Sequence, residues 1–229
     1  MRRCGGRGML LLGAAASALW LGAAAVGGPP PGAVYRGDAR HPRVALECNV
    51  DWGGEYLPGM LDVLRQDHAH ITFFLTGAWA QAHPALAREL AAAGEEIGNH
   101  GWRHVHVAAL SEQANRREMA HGQRVIAAAS GVVPRLYAPP YGELSPAVLA
   151  AAAGLGLRVI MWTADTVDWQ PQRTPAAIRQ RAVVRAKNGA LILIHPTART
   201  LAALPGILAG LRRRGYQVTT VSQVLGSPR

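Results

Sequence analysis

The chain has 229 residues, 49% of them hydrophobic, which suffices for one substantial core and suggests a single domain. Its formal net charge is +10, carried by 23 arginines and one lysine, Lys187, and a basic exported domain of this kind is drawn to anionic surfaces such as cell wall or membrane. Nucleic acid is excluded as a partner by the export signal described next and by the lack of a basic stripe interleaved with aromatic residues.

Arg2, Arg3 and Arg7 precede an apolar run over 9–26, and a Gly/Pro-rich exit follows. This order of charge, apolar core and flexible exit reads as an export signal. The run is near the lower limit for spanning a bilayer, while Ala23-Ala-Ala25 offers small residues for cleavage, so a cleaved signal peptide and an N-terminal membrane anchor both fit. Either one places the protein outside the cytoplasm, in the cell wall or anchored to the membrane. The division is therefore 1–26 signal or anchor, 27–42 linker and 43–229 domain. Removing the three arginines leaves a charge of about +7. Cys4 precedes the apolar run and is no lipid-attachment residue; Cys48, inside an apolar strand, reads as a small buried hydrophobe.

Within the domain, 44–48 reads as a strand and 55–65 as a helix with Leu57, Met60, Leu61 and Leu64 at helical spacing. A strand at 71–75, a helix at 84–93 ended by Gly94, and a short strand at 95–98 follow. Ser111 caps a long helix to 129, 135–138 is a strand, and Ser145-Pro146 opens another helix. Then come a strand at 158–162, a helix from Thr174-Pro175, a strand at 191–195, a helix at 201–213 and a strand at 217–221. Strands apolar throughout, separated by helices, imply an α/β fold: a parallel sheet of about seven strands covered on both faces and rolled into a barrel.

The residues with chemical potential follow strand ends, which share one rim in a parallel barrel. In Asn99-His-Gly-Trp-Arg-His104, His100 and His104 are spaced so that a helical turn or tight loop puts both on one side, as metal ligands require. A catalytic metal takes three protein ligands, and Asp51, at the end of Val44-Ala-Leu-Glu-Cys-Asn-Val-Asp-Trp-Gly53, is the third candidate. His41, His68, His70, His83, His106 and His121 read as polar loop histidines.

Those two blocks, followed by Tyr137-Ala-Pro-Pro-Tyr-Gly142, Asp165-Thr-Val-Asp-Trp169 and Leu191-Ile-Leu-Ile-His195, resemble in content and order the polysaccharide deacetylase family (NodB homology, carbohydrate esterase family 4). The resemblance runs from Val44 to His195 and implies a distorted, incomplete (β/α) barrel. It also implies a divalent metal, zinc by donor type with cobalt or nickel admitted, on Asp51, His100 and His104. His195 resembles the general acid that protonates the leaving amine, and Asp168 the residue that orients it. The Tyr141 backbone N–H corresponds to the oxyanion donor. Trp169, like Trp162, reads as core or cleft wall more readily than as chemistry. The implied substrate is an N-acetylated polysaccharide, peptidoglycan-like or chitin-like.

Two positions depart from the family pattern. Asn49 stands where the resemblance expects the base that deprotonates water, and Ala138 where it expects that base's arginine partner. Losing both removes an ion pair together, which avoids an unpaired buried cation, yet a carboxamide cannot act as a base. Loss of base assistance costs about 10² to 10⁴ in rate. Glu47, about 6.6 Å from Asn49 on the same face of the strand, is the substitute base to consider, beside a hydroxide generated by the metal alone; an exposed edge-strand glutamate is the plain alternative. The sequence thus leads to an exported metal-dependent N-deacetylase, with a weak or inactive carbohydrate-binding protein, or an O-acetyl esterase, as alternatives.

Overall fold

In the computed structural model, Met1 and residues 32–226 are described; the export segment lies outside them. Among the described residues no helix is long and apolar enough to cross a membrane.

Among the described residues eight parallel strands form one curled sheet. They are β1 (Arg43–Val50), β2 (Thr72–Leu75), β3 (Glu96–Asn99), β4 (Leu136–Tyr137), β5 (Arg158–Val159), β6 (Ala164–Asp165), β7 (Leu191–Ile194) and β8 (Gln217–Thr219). Seven follow the path β5-β4-β3-β2-β1-β7-β6, and β8 pairs with the first half of β1. Of the expected strand at 158–162 only Arg158–Val159 pairs as β5; Ile160 bridges to Val34, and β6, beyond the expected strand, pairs with β7. The result is the incomplete barrel anticipated from the sequence.

Alternation along β1 divides the molecule. Val44, Leu46, Cys48 and Val50 face the outer helices, and Ala45 packs with Phe74, Leu136, Ala138, Ile160 and Leu191 inside the curl. Glu47 and Asn49 share the face of Ala45. The outer layer includes α1 (Leu57–Gln66), α2 (Gly77–Ala82), α3 (Pro84–Ala92), α4 (Glu112–Ser130), α5 (Pro146–Ala153), α6 (Pro175–Arg185) and α7 (Ala198–Arg213); α8 (Val221–Val224) adds Val221 and Val224 to the inner cluster. Helix α1 buries Leu57, Met60, Leu61 and Leu64, one stripe at the spacing of a single helical face. Ser111, Ser145, Thr174 and Thr197 each accept a backbone N–H at a helix start, relieving donors that otherwise have no partner.

The open side of the sheet is covered by the N-terminal stretch. Val34 N–H donates to Val159 O at 2.9 Å, Met161 N–H to Val34 O at 2.8 Å and Gly37 N–H to Gly189 O at 2.8 Å. Part of the segment read from sequence as a linker therefore lies along the barrel gap.

Candidate active site

A cleft of about 370 Å³ opens at the carboxyl rim of the sheet, lined by Asn49, Trp52, His104, Tyr141, Trp162, Asp165, Trp169 and His195 among others. Strand ends from β1, β6 and β7 and the loops after β3 and β4 converge there.

Residues 100–106, just after β3, carry the histidine pair and form no helical turn; a short 3-10 helix follows at Val107–Ala109. Gly101, at φ +86°, makes a bend that a side chain would strain, and Asn99 Oδ1 accepts its N–H at 2.7 Å. The loop crosses α4 at Gly122, where an added Cβ would lie 2.5 Å from Gly101 O. His100 and His104 have ring centroids 5.0 Å apart. His100 Nδ1 lies 2.7 Å from Ala138 O; a carbonyl only accepts, so Nδ1 carries the proton and Nε2 keeps its lone pair. Burial, reinforced by the charge of His104, pushes His100 down to about 3, so it is neutral at physiological pH. Burial also lowers His104, against the opposing pull of the Asp51 carboxylate.

A neutral imidazole held by a backbone carbonyl, as His100 is, and a second imidazole beside it are the donor form that a divalent cation takes, so the pair fits such a metal chemically. Asp51 stands close enough to act on His104, with Oδ1 accepting from Thr76 Oγ1 at 2.9 Å. Among the described residues, however, no group of three His, Cys, Asp or Glu side chains is arranged to hold a metal ion, so the third position is not closed.

Opposite stands His195. Its backbone N–H donates to Asp168 Oδ2 at 2.7 Å, and its Nδ1 lies 2.8 Å from Asp168 Oδ1, leaving Nε2 as the free ring nitrogen. Asp168 is fully buried, and Thr200 Oγ1 donates to its Oδ2 at 2.5 Å. The turn that delivers Asp168 includes Val167 at φ 58°, unusual for a β-branched residue, held by Asp165 Oδ1 accepting the Val167 N–H at 2.7 Å. Asp165 thus shapes the turn. Trp52 stacks parallel to the His195 ring at 6.2 Å.

Tyr141 also has a positive φ, 58°, after Pro139-Pro140. The hydrogen bonds of its turn run from Gly142 and Glu143, so the Tyr141 N–H takes no part in them. Its ring stacks on His106 at 4.1 Å and meets His104 edge-on at 4.3 Å. His106 Nδ1 lies 2.7 Å from Glu143 Oε1. His106, read from sequence as an ordinary loop histidine, therefore braces the cleft wall, and His121 likewise stacks on Trp102. Trp169 and Trp162 line the cleft.

The base position is where the site thins. Asn49 lines the cleft, and its Oδ1 is buried without a partner. Ala138 is buried and contributes only its carbonyl, to His100. Glu47 is not an exposed edge residue: β1 lies between β2 and β7, and the side chain is 2% exposed with neither oxygen hydrogen-bonded. Burial pushes its carboxyl well above the usual range.

Comparison with known proteins places this geometry. The chain is 35% identical to protein YlxY of Bacillus subtilis, over 87% of the chain and 62% of YlxY. It is 29% identical to the peptidoglycan-N-acetylglucosamine deacetylase PgdA of Listeria monocytogenes, over 80% of the chain and 39% of PgdA, and so spans less than two thirds of either relative. Among solved structures, BA3943 of Bacillus anthracis, described as a CE4 family pseudoenzyme, superposes with a TM-score of 0.83 at 35% identity, covering 85% of this chain and 69% of that one. A BA3943 mutant described as having restored enzymatic activity gives 0.82 at 33% identity, over 85% and 71%. The polysaccharide deacetylase family profile matches residues 37–160, more than half of the sequence, and the chain belongs to that family.

Proposed function

We propose that the protein binds N-acetylated polysaccharide of the cell envelope, peptidoglycan-like or chitin-like, and removes its acetyl groups slowly, with a complete acid half and an incomplete base half. The observation that carries this reading is the oriented His195–Asp168 pair across the cleft from the neutral His100–His104 pair, with Asn49 where a base belongs. Hydrolysis of an acetamide needs a proton delivered to the departing amine. His195, its Nδ1 directed to Asp168, has Nε2 available for that delivery. The Tyr141 N–H, outside its turn's own hydrogen bonds, suits the developing oxyanion. Trp52, Trp162 and Trp169 offer flat apolar walls for sugar rings and exclude water.

Asp51, His100 and His104 would hold a divalent cation, zinc by donor type with cobalt or nickel accepted by the same donors. When bound, such an ion supplies a Lewis acid and a more acidic water. Asn49 cannot accept that water's proton, so turnover is expected about 10² to 10⁴ below that of a site with a carboxylate there. The second reading, a glycan-binding protein with no turnover, is favoured by the joint loss of base and arginine at Asn49 and Ala138.

The test is acetate release and binding with N-acetylglucosamine oligomers, zinc or cobalt present, beside His100→Ala. Binding with slow release that disappears in His100→Ala is expected. Binding without release would transfer the function to the glycan-binding reading, and absence of binding would overturn both. Faster release from an aryl acetate than from the oligomer would point to an ester substrate.

A further inference from the structure

Glu47 is the buried titratable group that this chemistry leaves without a task. Both its oxygens lack partners inside the curl, and two residues along the same strand face Asn49 Oδ1 is equally buried and unpaired. The other polar atom of Asn49, Nδ2, is not among these orphaned atoms, and Asn49 lines the cleft. Several acceptors sharing one apolar face with no donor forfeit their hydration without return. One proton resolves this: a carboxylic acid at Glu47 donates to the carboxamide oxygen of Asn49. Cα atoms two apart on a strand are separated by about 6.6 Å, which the longer side chain of Glu47 can bridge.

The surroundings favour that proton. Register places Thr72 of β2 and Leu193 of β7 beside Glu47, and Phe74 beside Asn49. Beyond Thr72, β3 contributes Glu96, whose Oε2 accepts from Thr72 Oγ1 at 2.6 Å and from Ser222 N–H at 3.1 Å. His100 and His195 belong to the rim above. Burial is the cause of Glu47's raised carboxyl, with no cation offsetting it.

We propose that Glu47 is a positioning residue whose carboxylic acid O–H holds the Asn49 carbonyl oxygen inward and turns the Asn49 NH2 into the cleft, converting the base position into a hydrogen-bond donor for the carbonyl of an N-acetyl group. The second half rests on the cleft being an N-acetylglycan site. Glu47 thereby has a donor's task, not the base's task considered from the sequence.

The experiment compares the full chain with Glu47→Gln, which keeps a donor of similar reach, and Glu47→Met, which keeps only volume. Binding of the N-acetylglucosamine tetramer is expected to be within about twofold of wild type for Gln and about tenfold weaker for Met, the scale of one hydrogen bond. Stability against pH supplies a readout free of glycan. A carboxyl raised in the fold contributes fully below its unfolded value of about 4.3, and the contribution is lost as pH rises through the folded value. Wild type should therefore lose stability relative to Glu47→Gln as pH rises from about 4, and carbon-13 NMR should find the Glu47 carboxyl protonated at neutral pH. Tetramer binding unchanged in Glu47→Met, parallel pH profiles, or an ionised Glu47 carboxyl would each overturn the proposal. A tetramer that binds none of the three proteins contradicts the glycan reading alone, and the pH and NMR results then decide the Glu47–Asn49 bond.

Discussion

Asp168 concentrates the acid half of the site, because its carboxylate is bonded to the His195 backbone, the His195 ring and Thr200 at once. Asp168→Asn is expected to lower stability by about 2 kcal/mol, the scale of impaired buried hydrogen bonds to a charged group, and to cut any acetate release by about 10² or more; denaturant midpoints and release rates check both. At the base position the expectation is conditional. Ala138→Arg alone places an uncompensated cation in the buried wall, costing about 3–5 kcal/mol, and adding Asn49→Asp should recover most of it. A double-mutant cycle on unfolding free energies measures that coupling, and additive effects would mean the two side chains never meet. His100 sets a pH dependence of opposite sign to Glu47. Held at about 3 against an unperturbed 6.5, it contributes stability that is complete above about 6.5 and lost as pH falls toward 3. The midpoint of the metal-free protein should drop over that window, with a flatter profile in His100→Gln.

The elements fix the site through close backbone contacts, most sharply where the histidine loop crosses α4 at Gly122. Gly122→Ala would improve helix propensity by about 1 kcal/mol on an isolated helix, yet the new Cβ would stand 2.5 Å from Gly101 O. The collision is expected to win, giving a lower melting temperature and at least tenfold weaker cobalt binding, because the loop that moves carries both imidazoles. At this scale the sequence was read well where signals are long or chemically pointed. The apolar runs of β1 and β7 and the helix caps at Ser111 and Ser145 stand where their patterns placed them, and the structure brings His100 beside His104 and His195 beside Asp168. Short or context-dependent features escaped. Helix α2 has six residues, Gly77-Ala-Trp-Ala-Gln-Ala82, too few for a periodic pattern. The early end of β5 falls within an apolar stretch that reads as one longer strand, and β6 has only two residues. The bracing of Tyr141 by His106 depends on a left-handed tyrosine two residues beyond Pro139, a conformation no local rule assigns to tyrosine. For Glu47 the placement on the face of Asn49 holds and the exposed-edge alternative fails, because only the pairing order shows that β1 is central.

For the whole molecule, the incomplete barrel requires something across its open side, and residues 34–37 supply it through three backbone hydrogen bonds. A chain beginning at Gly32 should keep its stability, whereas one beginning at Asp38 should lose about 3 kcal/mol, three bonds at about 1 kcal/mol each. Equal midpoints for the two would show the strap to be incidental. The architecture otherwise matches the polysaccharide deacetylase family, with Asn49 and Ala138 standing where the resemblance expects a base and its arginine. The most direct measurement is kcat/KM for acetate release from the N-acetylglucosamine tetramer, with zinc or cobalt, for wild type and Asn49→Asp/Ala138→Arg. A rise of about 10² to 10⁴ in the double variant is the predicted result; equal rates would contradict the claim that the missing base limits this site.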